Sequence, residues 1–92
     1  MSVLKKNTPE TLAALFKALA HPVRLQIVQG LLRKHECNVS TIVEKLGKPQ
    51  PTVSQHITIL KSHGIIEGFR KGNQICYRIA NPLVKKIFEA VA

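Results

Sequence analysis

Apolar side chains recur along this chain with two different periods, and the change of period divides it. Leu12, Leu15, Phe16 and Leu19 stand at i, i+3, i+4 and i+7, the spacing of one helix face. Thr8-Pro9-Glu10 ahead of them is helix-start chemistry: a capping hydroxyl, a first-turn proline and a carboxylate at the positive end of the dipole. The pattern predicts an amphipathic helix over 9–20, broken at His21-Pro22. Pro22 restarts a second helix in which Val23, Ile27 and Leu31 share a face widened by Leu25, Val28 and Leu32. A helix this apolar all round is expected to be the central one. Residues 33–36 are polar and read as a loop. Asn38-Val39-Ser40 reads as a very short strand that then caps a third helix, with Ile42, Val43 and Leu46 inward and Gly47 at its end. Lys48-Pro49 turns the chain into a fourth helix. Pro51 suits its first turn, Val53, Ile57 and Leu60 line one face, and Gly64 stops it.

Beyond Gly64 the period drops from about 3.6 to 2. Ile65 to Arg70 and Gln74 to Ile79 read as two strands joined by Lys71-Gly72-Asn73, a turn whose Gly and Asn accept positive φ. Asn81-Pro82 opens a last helix, where Leu83, Ile87 and Val91 recur beside Val84 and Phe88. The order is helix, helix, short strand, helix, helix, strand, strand, helix. That is a mainly α fold with a small β-hairpin: a winged helix-turn-helix with an extra helix at each end. Residues 1–92 are expected to form one domain, without repeat or linker. Its core is thin for its surface, and association would add buried area. Leu12, Leu15, Phe16 and Leu19 at one end, with Leu83, Ile87, Phe88 and Val91 at the other, predict a homodimer through the terminal helices.

Charge narrows the partners. Fourteen Lys and Arg face five acidic residues, all Glu, for a net charge of +9. Such a balance points to a polyanion, with nucleic acid ahead of an anionic membrane surface. No apolar run approaches the roughly 18 residues of a membrane span. Met1 to Lys6 is basic, but a Pro and a Glu intervene before any apolar run, so no signal peptide is read. A cytoplasmic location is expected, with Cys37 and Cys76 as thiols at rest. Without Asp there is no Ser-His-Asp set, and Arg70-Lys71-Gly72-Asn73 lacks the spacing of a phosphate loop. No enzyme activity and no cofactor are expected.

The fourth helix is the most informative stretch. Opposite its apolar face stand Thr52, Gln55 and Ser62, with Ser54 and Thr58 alongside. A solvated helix face is more often Lys and Glu, whereas short uncharged donors and acceptors suit a helix lying between phosphate walls against base edges. Gln50, Thr52, Ser54, Gln55 and Thr58 are the candidate base-edge and near-groove residues; a merely polar surface is the competing reading. His56 adjoins Ile57 and Leu60, so packing competes with base reading there and is favoured. Lys48 and Lys61 flank the helix, and Arg70 and Lys71 sit at the hairpin tip, where they would meet phosphate or the minor groove. Arg24 reads as a structural or backbone-phosphate residue.

The stretch Ala18-Leu19-Ala20-His21-Pro22-Val23-Arg24-Leu25-Gln26-Ile27-Val28 resembles a conserved block of the ArsR/SmtB-type bacterial repressors. Gln50-Pro51-Thr52-Val53-Ser54-Gln55-His56 resembles their recognition helix. Gly64-Ile65-Ile66, Arg70-Lys71-Gly72 and Tyr77-Arg78-Ile79 resemble their wing. The likeness runs in order over about residues 12–80. The short basic chain and its ending are similar to the PagR-like branch. The resemblance implies a homodimer on a palindromic operator in double-stranded DNA, acting as a repressor. Many members of the family release DNA on binding a metal ion, and here the chain departs from them. The family's thiolate positions are occupied by Asn38 and Ser40, and Cys37 lies one residue too early. Residues 81–92 carry neither Asp nor His for the family's other site. No metal site of either kind is therefore expected. Pro49 also stands where the family often has a capping Ser.

Three readings of the cysteines stay open. In winged folds the short strand pairs with the second wing strand, bringing residues 37–39 near 76–79. Cys37 and Cys76 are first of all small apolar fillers. A reversible disulfide between them, or a metal site with His35, are the alternatives, and the first would make the protein thiol-responsive. The competing functions are a winged-helix protein–protein interaction module without DNA readout, which the charge disfavours, and an RNA binder, which would want exposed aromatics.

Overall fold

In the computed structural model, residues 8–34 and 37–91 are described, Cys37 through its backbone. Helix α1 (Pro9–Leu19) begins where Thr8 Oγ1 accepts the Thr11 amide N–H at 3.2 Å. It ends one residue earlier than the periodicity predicts. Ala20 leaves helical geometry at φ −81, ψ 61, because the chain must turn before Pro22. His21 then caps α2 (Pro22–Lys34): its Nδ1 accepts the Val23 amide N–H at 3.1 Å, and its carbonyl accepts that of Leu25 at 2.9 Å.

Strand β1 is only Cys37–Asn38, and α3 (Val39–Leu46) follows at once. The expected strand over 38–40 is thus shorter, because Asn38 is already the helix cap. Its Oδ1 accepts the Thr41 N–H at 2.8 Å. Gly47 closes α3 in the left-handed region at φ 66, a conformation that costs a side chain with a Cβ. Helix α4 (Gln50–Ser62) starts without any side-chain cap; the Pro49 carbonyl accepts the Val53 N–H at 3.1 Å. Strands β2 (Ile66–Lys71) and β3 (Gln74–Ile79) form the wing, turning through Gly72 at φ 63. Helix α5 (Pro82–Val91) is capped by Asn81 Oδ1, which accepts the Leu83 N–H at 2.8 Å.

The sheet is antiparallel in the order β1-β3-β2. Its inner end, with Ile66 opposite Ile79, closes over a core built from α2 and α4. Val28, Leu31, Val53, Leu60, Ile65, Ile66 and Val84 are essentially sealed from solvent. Helix α2 is central as expected, although Leu25 on its flank remains exposed.

The terminal helices divide their apolar residues. Leu15, Leu19 and Phe88, expected at a dimer interface, are buried in the protomer's own core. The core needs them because α1 and α5 close it from opposite ends of the chain. Phe16 at 50% exposure and Val91 at 71% stay open, with Leu12, Leu83 and Ile87 half-buried.

Candidate nucleic-acid interface

Three buried side chains set the rotation of α4. Val53, Ile57 and Leu60 anchor it to the core, so the opposite side must face outward. Gln55 and Thr58 project there, exposed, between Pro51 and Ser62. Ser54 and Thr52 sit half-buried on the two flanks, and Gln50 is exposed at the helix start. Ser62, although outward, donates its hydroxyl to the Ile59 carbonyl at 2.8 Å. Its oxygen is therefore engaged by its own helix. Apart from Lys61, no formal charge stands on the α4 surface, so its outward side is an uncharged row of donors and acceptors.

The cations surround this row. Lys48 is exposed in the α3–α4 turn, and Lys61 in the last turn of α4. The Lys61 ammonium lies 5.9 Å from the centre of the Tyr77 ring, which ties the end of α4 to strand β3. Arg70 and Lys71 are exposed at the wing tip. Arg78 is engaged differently: its Nε donates to Glu67 Oε2 at 2.7 Å and its guanidinium covers the Phe69 ring at 4.4 Å. It therefore braces the wing.

His56 is turned toward the protein. Its Nδ1 lies 3.1 Å from Arg24 Nη1, and its ring packs on that of His21 with centroids 4.4 Å apart. Burial lowers its pKa below the usual imidazole value, reinforced by the positive fields of His21, Arg24 and Lys48. Arg24 also donates from Nε to the Ala18 carbonyl at 2.5 Å. These bonds give Arg24 a structural role between helices.

Asn38 is doubly used. Besides capping α3, its Nδ2 donates to Gln74 Oε1 at 2.6 Å, linking that cap to the wing. Sequence reasoning did not find this link, and with the partners 36 positions apart no local pattern signals it. Cys76 is a buried thiol in β3, its backbone opposite Asn38 and Phe69, while Cys37 stands opposite Tyr77. His35 lies outside the described residues, as does the Cys37 side chain. Among the described residues no three His, Cys, Asp or Glu converge as a metal site would require.

Comparison with known proteins gives the arrangement relatives. Residues 19–68 match the family described as a helix-turn-helix domain. The HTH-type transcriptional repressor SmtB of Mycobacterium tuberculosis is 44% identical over 79 residues. That match covers 85% of this chain but only 58% of the repressor, so the chain spans less than two thirds of that relative. The transcriptional repressor PagR of Bacillus anthracis is 40% identical over 77 residues, covering 84% of this chain and 77% of PagR. Its crystal structure superposes with a TM-score of 0.83 at 38% identity, over 90% of this chain and 94% of that one. The repressor BigR of Xylella fastidiosa superposes with a TM-score of 0.81 at 35% identity, over 89% and 83%.

Proposed function

The chain belongs to the ArsR/SmtB-type winged-helix repressors, and from that membership we propose that it is a transcriptional repressor whose homodimer reads a palindromic operator in duplex DNA. The observation that carries this reading is the outward side of α4. It offers Gln55 and Thr58 to base edges, with Gln50, Thr52 and Ser54 toward the groove walls. Glutamine can bond bidentately to adenine, and a threonine methyl can meet that of thymine. Lys48, Lys61, Arg70 and Lys71 neutralise phosphates on either side, as a recognition helix with a wing requires. His56 belongs to this site from the inner side of the helix.

The dimer is built through α1 and α5. Phe16 and Val91 supply the exposed apolar surface, and Leu12, Leu83 and Ile87 extend it. A two-fold axis there presents two equivalent recognition helices to the duplex, which is why a palindrome is the expected site. Residues 1–92 then act as one winged unit with dimerising ends. The thiol-responsive form of this function rests on Cys76 in β3, the wing strand that pairs with β1.

Selection of bound sequences from a random duplex pool tests the reading. Two symmetric half-sites should emerge. Affinity for them should fall by about 10³–10⁵ between about 50 and 200 mM salt if the dimer neutralises roughly 6–10 phosphates. Failure to retain any duplex at low salt would replace this function with that of a protein-interaction module. Repeating the measurement with oxidised and reduced protein tests the thiol response, and equal affinities would remove it.

A further inference from the structure

Arg24 joins three helices: the neighbouring α1 and α2, and α4, 32 positions further along the chain. It stands in the first turn of α2. Its Nε–H reaches the Ala18 carbonyl in the last turn of α1, and its Nη1 reaches His56 in the middle of α4. The His21 ring, held by the Val23 N–H on its own Nδ1, covers the His56 ring at 4.4 Å with a tilt of 43°. A guanidinium carries only donors, so His56 Nδ1 must offer a lone pair and the ring proton must sit on Nε2.

Resting on the DNA-reading role of α4, we infer that Arg24 is a positioning residue: its fork fixes the recognition helix against α1 through neutral His56. Helix α1 is the proposed dimer helix, so the bond carries the register of the dimer into the register of the reading face. Arginine suits the task because its planar fork serves two acceptors in a fixed relation; a lysine offers one ammonium on a flexible stem. Three groups act electrostatically on His56: His21 from the α1–α2 turn, Arg24 from α2 and Lys48 from the α3–α4 turn. All three are basic. Burial and these charges keep the ring neutral near neutral pH, which preserves the acceptor that Arg24 needs. A proton on Nδ1 would set N–H against N–H and break the link.

The experiment compares wild type, Arg24→Lys, His56→Ala and the double variant. Each is assayed for affinity to the selected duplex and to a scrambled one, with imidazole nitrogen NMR on the free proteins. Arg24→Lys keeps the charge, so scrambled-duplex affinity and the salt slope should stay at wild-type values. Affinity for the selected duplex should fall about tenfold, the worth of one well-made hydrogen bond. That loss should vanish in the His56→Ala background. Free wild type should show the Nε2–H tautomer of His56, and its preference for the selected duplex should shrink on acidification in step with His56 protonation. An Nδ1–H tautomer, an undiminished preference in Arg24→Lys, or additive losses in the double variant would each overturn the inference. A uniform loss on both duplexes with a flatter salt slope would do so too, since it would make Arg24 a phosphate contact. Wild type without any sequence preference would instead overturn the DNA-reading function itself.

Discussion

Replacing Phe16 by Ser asks whether the apolar surface left on α1 is the dimer interface. Half of this side chain is exposed in the protomer, while its helical neighbours Leu15 and Leu19 are buried. A phenylalanine presents about 200 Å², so roughly 100 Å² remains for a partner to cover. At about 25 cal/mol per Å², covering it contributes about 2.5 kcal/mol per copy. A two-fold interface contains the residue twice, so the ceiling is about 5 kcal/mol, or three to four decades in the dimer Kd. Side-chain ordering and imperfect packing reduce the realised value, and a loss of at least about a hundredfold is expected. Sedimentation velocity across a dilution series measures it directly. Circular dichroism should show the same helix content for both proteins, because the exposed half supports nothing inside the protomer. A dimer Kd within about tenfold of wild type would refute the assignment. Loss of helix content in the dilute, monomeric variant would refute the premise that Phe16 lies outside the protomer core.

Other consequences follow from single contacts. Gln55→Ala should cost about 1–3 kcal/mol at one base pair per half-site and relax the sequence preference there, whereas Arg70→Ala should weaken all duplexes alike and lower the salt slope by about one per site; site selection with each variant separates the two. Asn38→Ala removes both the α3 cap and the bond to Gln74 and should destabilise by about 1–2 kcal/mol, read as a drop in Tm, while Asn38→Asp keeps the cap acceptor and should recover most of it. Acid should act through His56: its folded pKa lies below the unfolded value near 6.5, so its contribution to stability is complete above about pH 6.5 and is lost as pH falls through the folded pKa. Tm should therefore decline as pH falls below about 6.5, less steeply in His56→Gln, and identical slopes in both proteins would dismiss His56 as the cause.

The elements of this protein were legible in its sequence because their signals are local. Helix faces repeat within a few residues, Thr8, Asn38 and Asn81 bond to amides two or three positions on, and Pro22, Gly47 and Gly72 act on their own backbone. The uncharged side of α4 was readable for the same reason, since Val53, Ile57 and Leu60 set its rotation by spacing alone. What tertiary structure decided is how equivalent residues were allotted. Leu15 and Phe16 are neighbours on one apolar face, yet one fills the core and the other stays open; only the position of the remaining helices and the sheet determines which. Arg70 and Arg78 look alike on a basic wing, but the antiparallel register sets Glu67 opposite Arg78 and pairs that guanidinium with its carboxylate. Arg24 and His56 are 32 residues apart, and Asn38 and Gln74 are 36 apart. Side-chain bonds across such separations depend on the relative placement of whole elements, which periodicity does not encode.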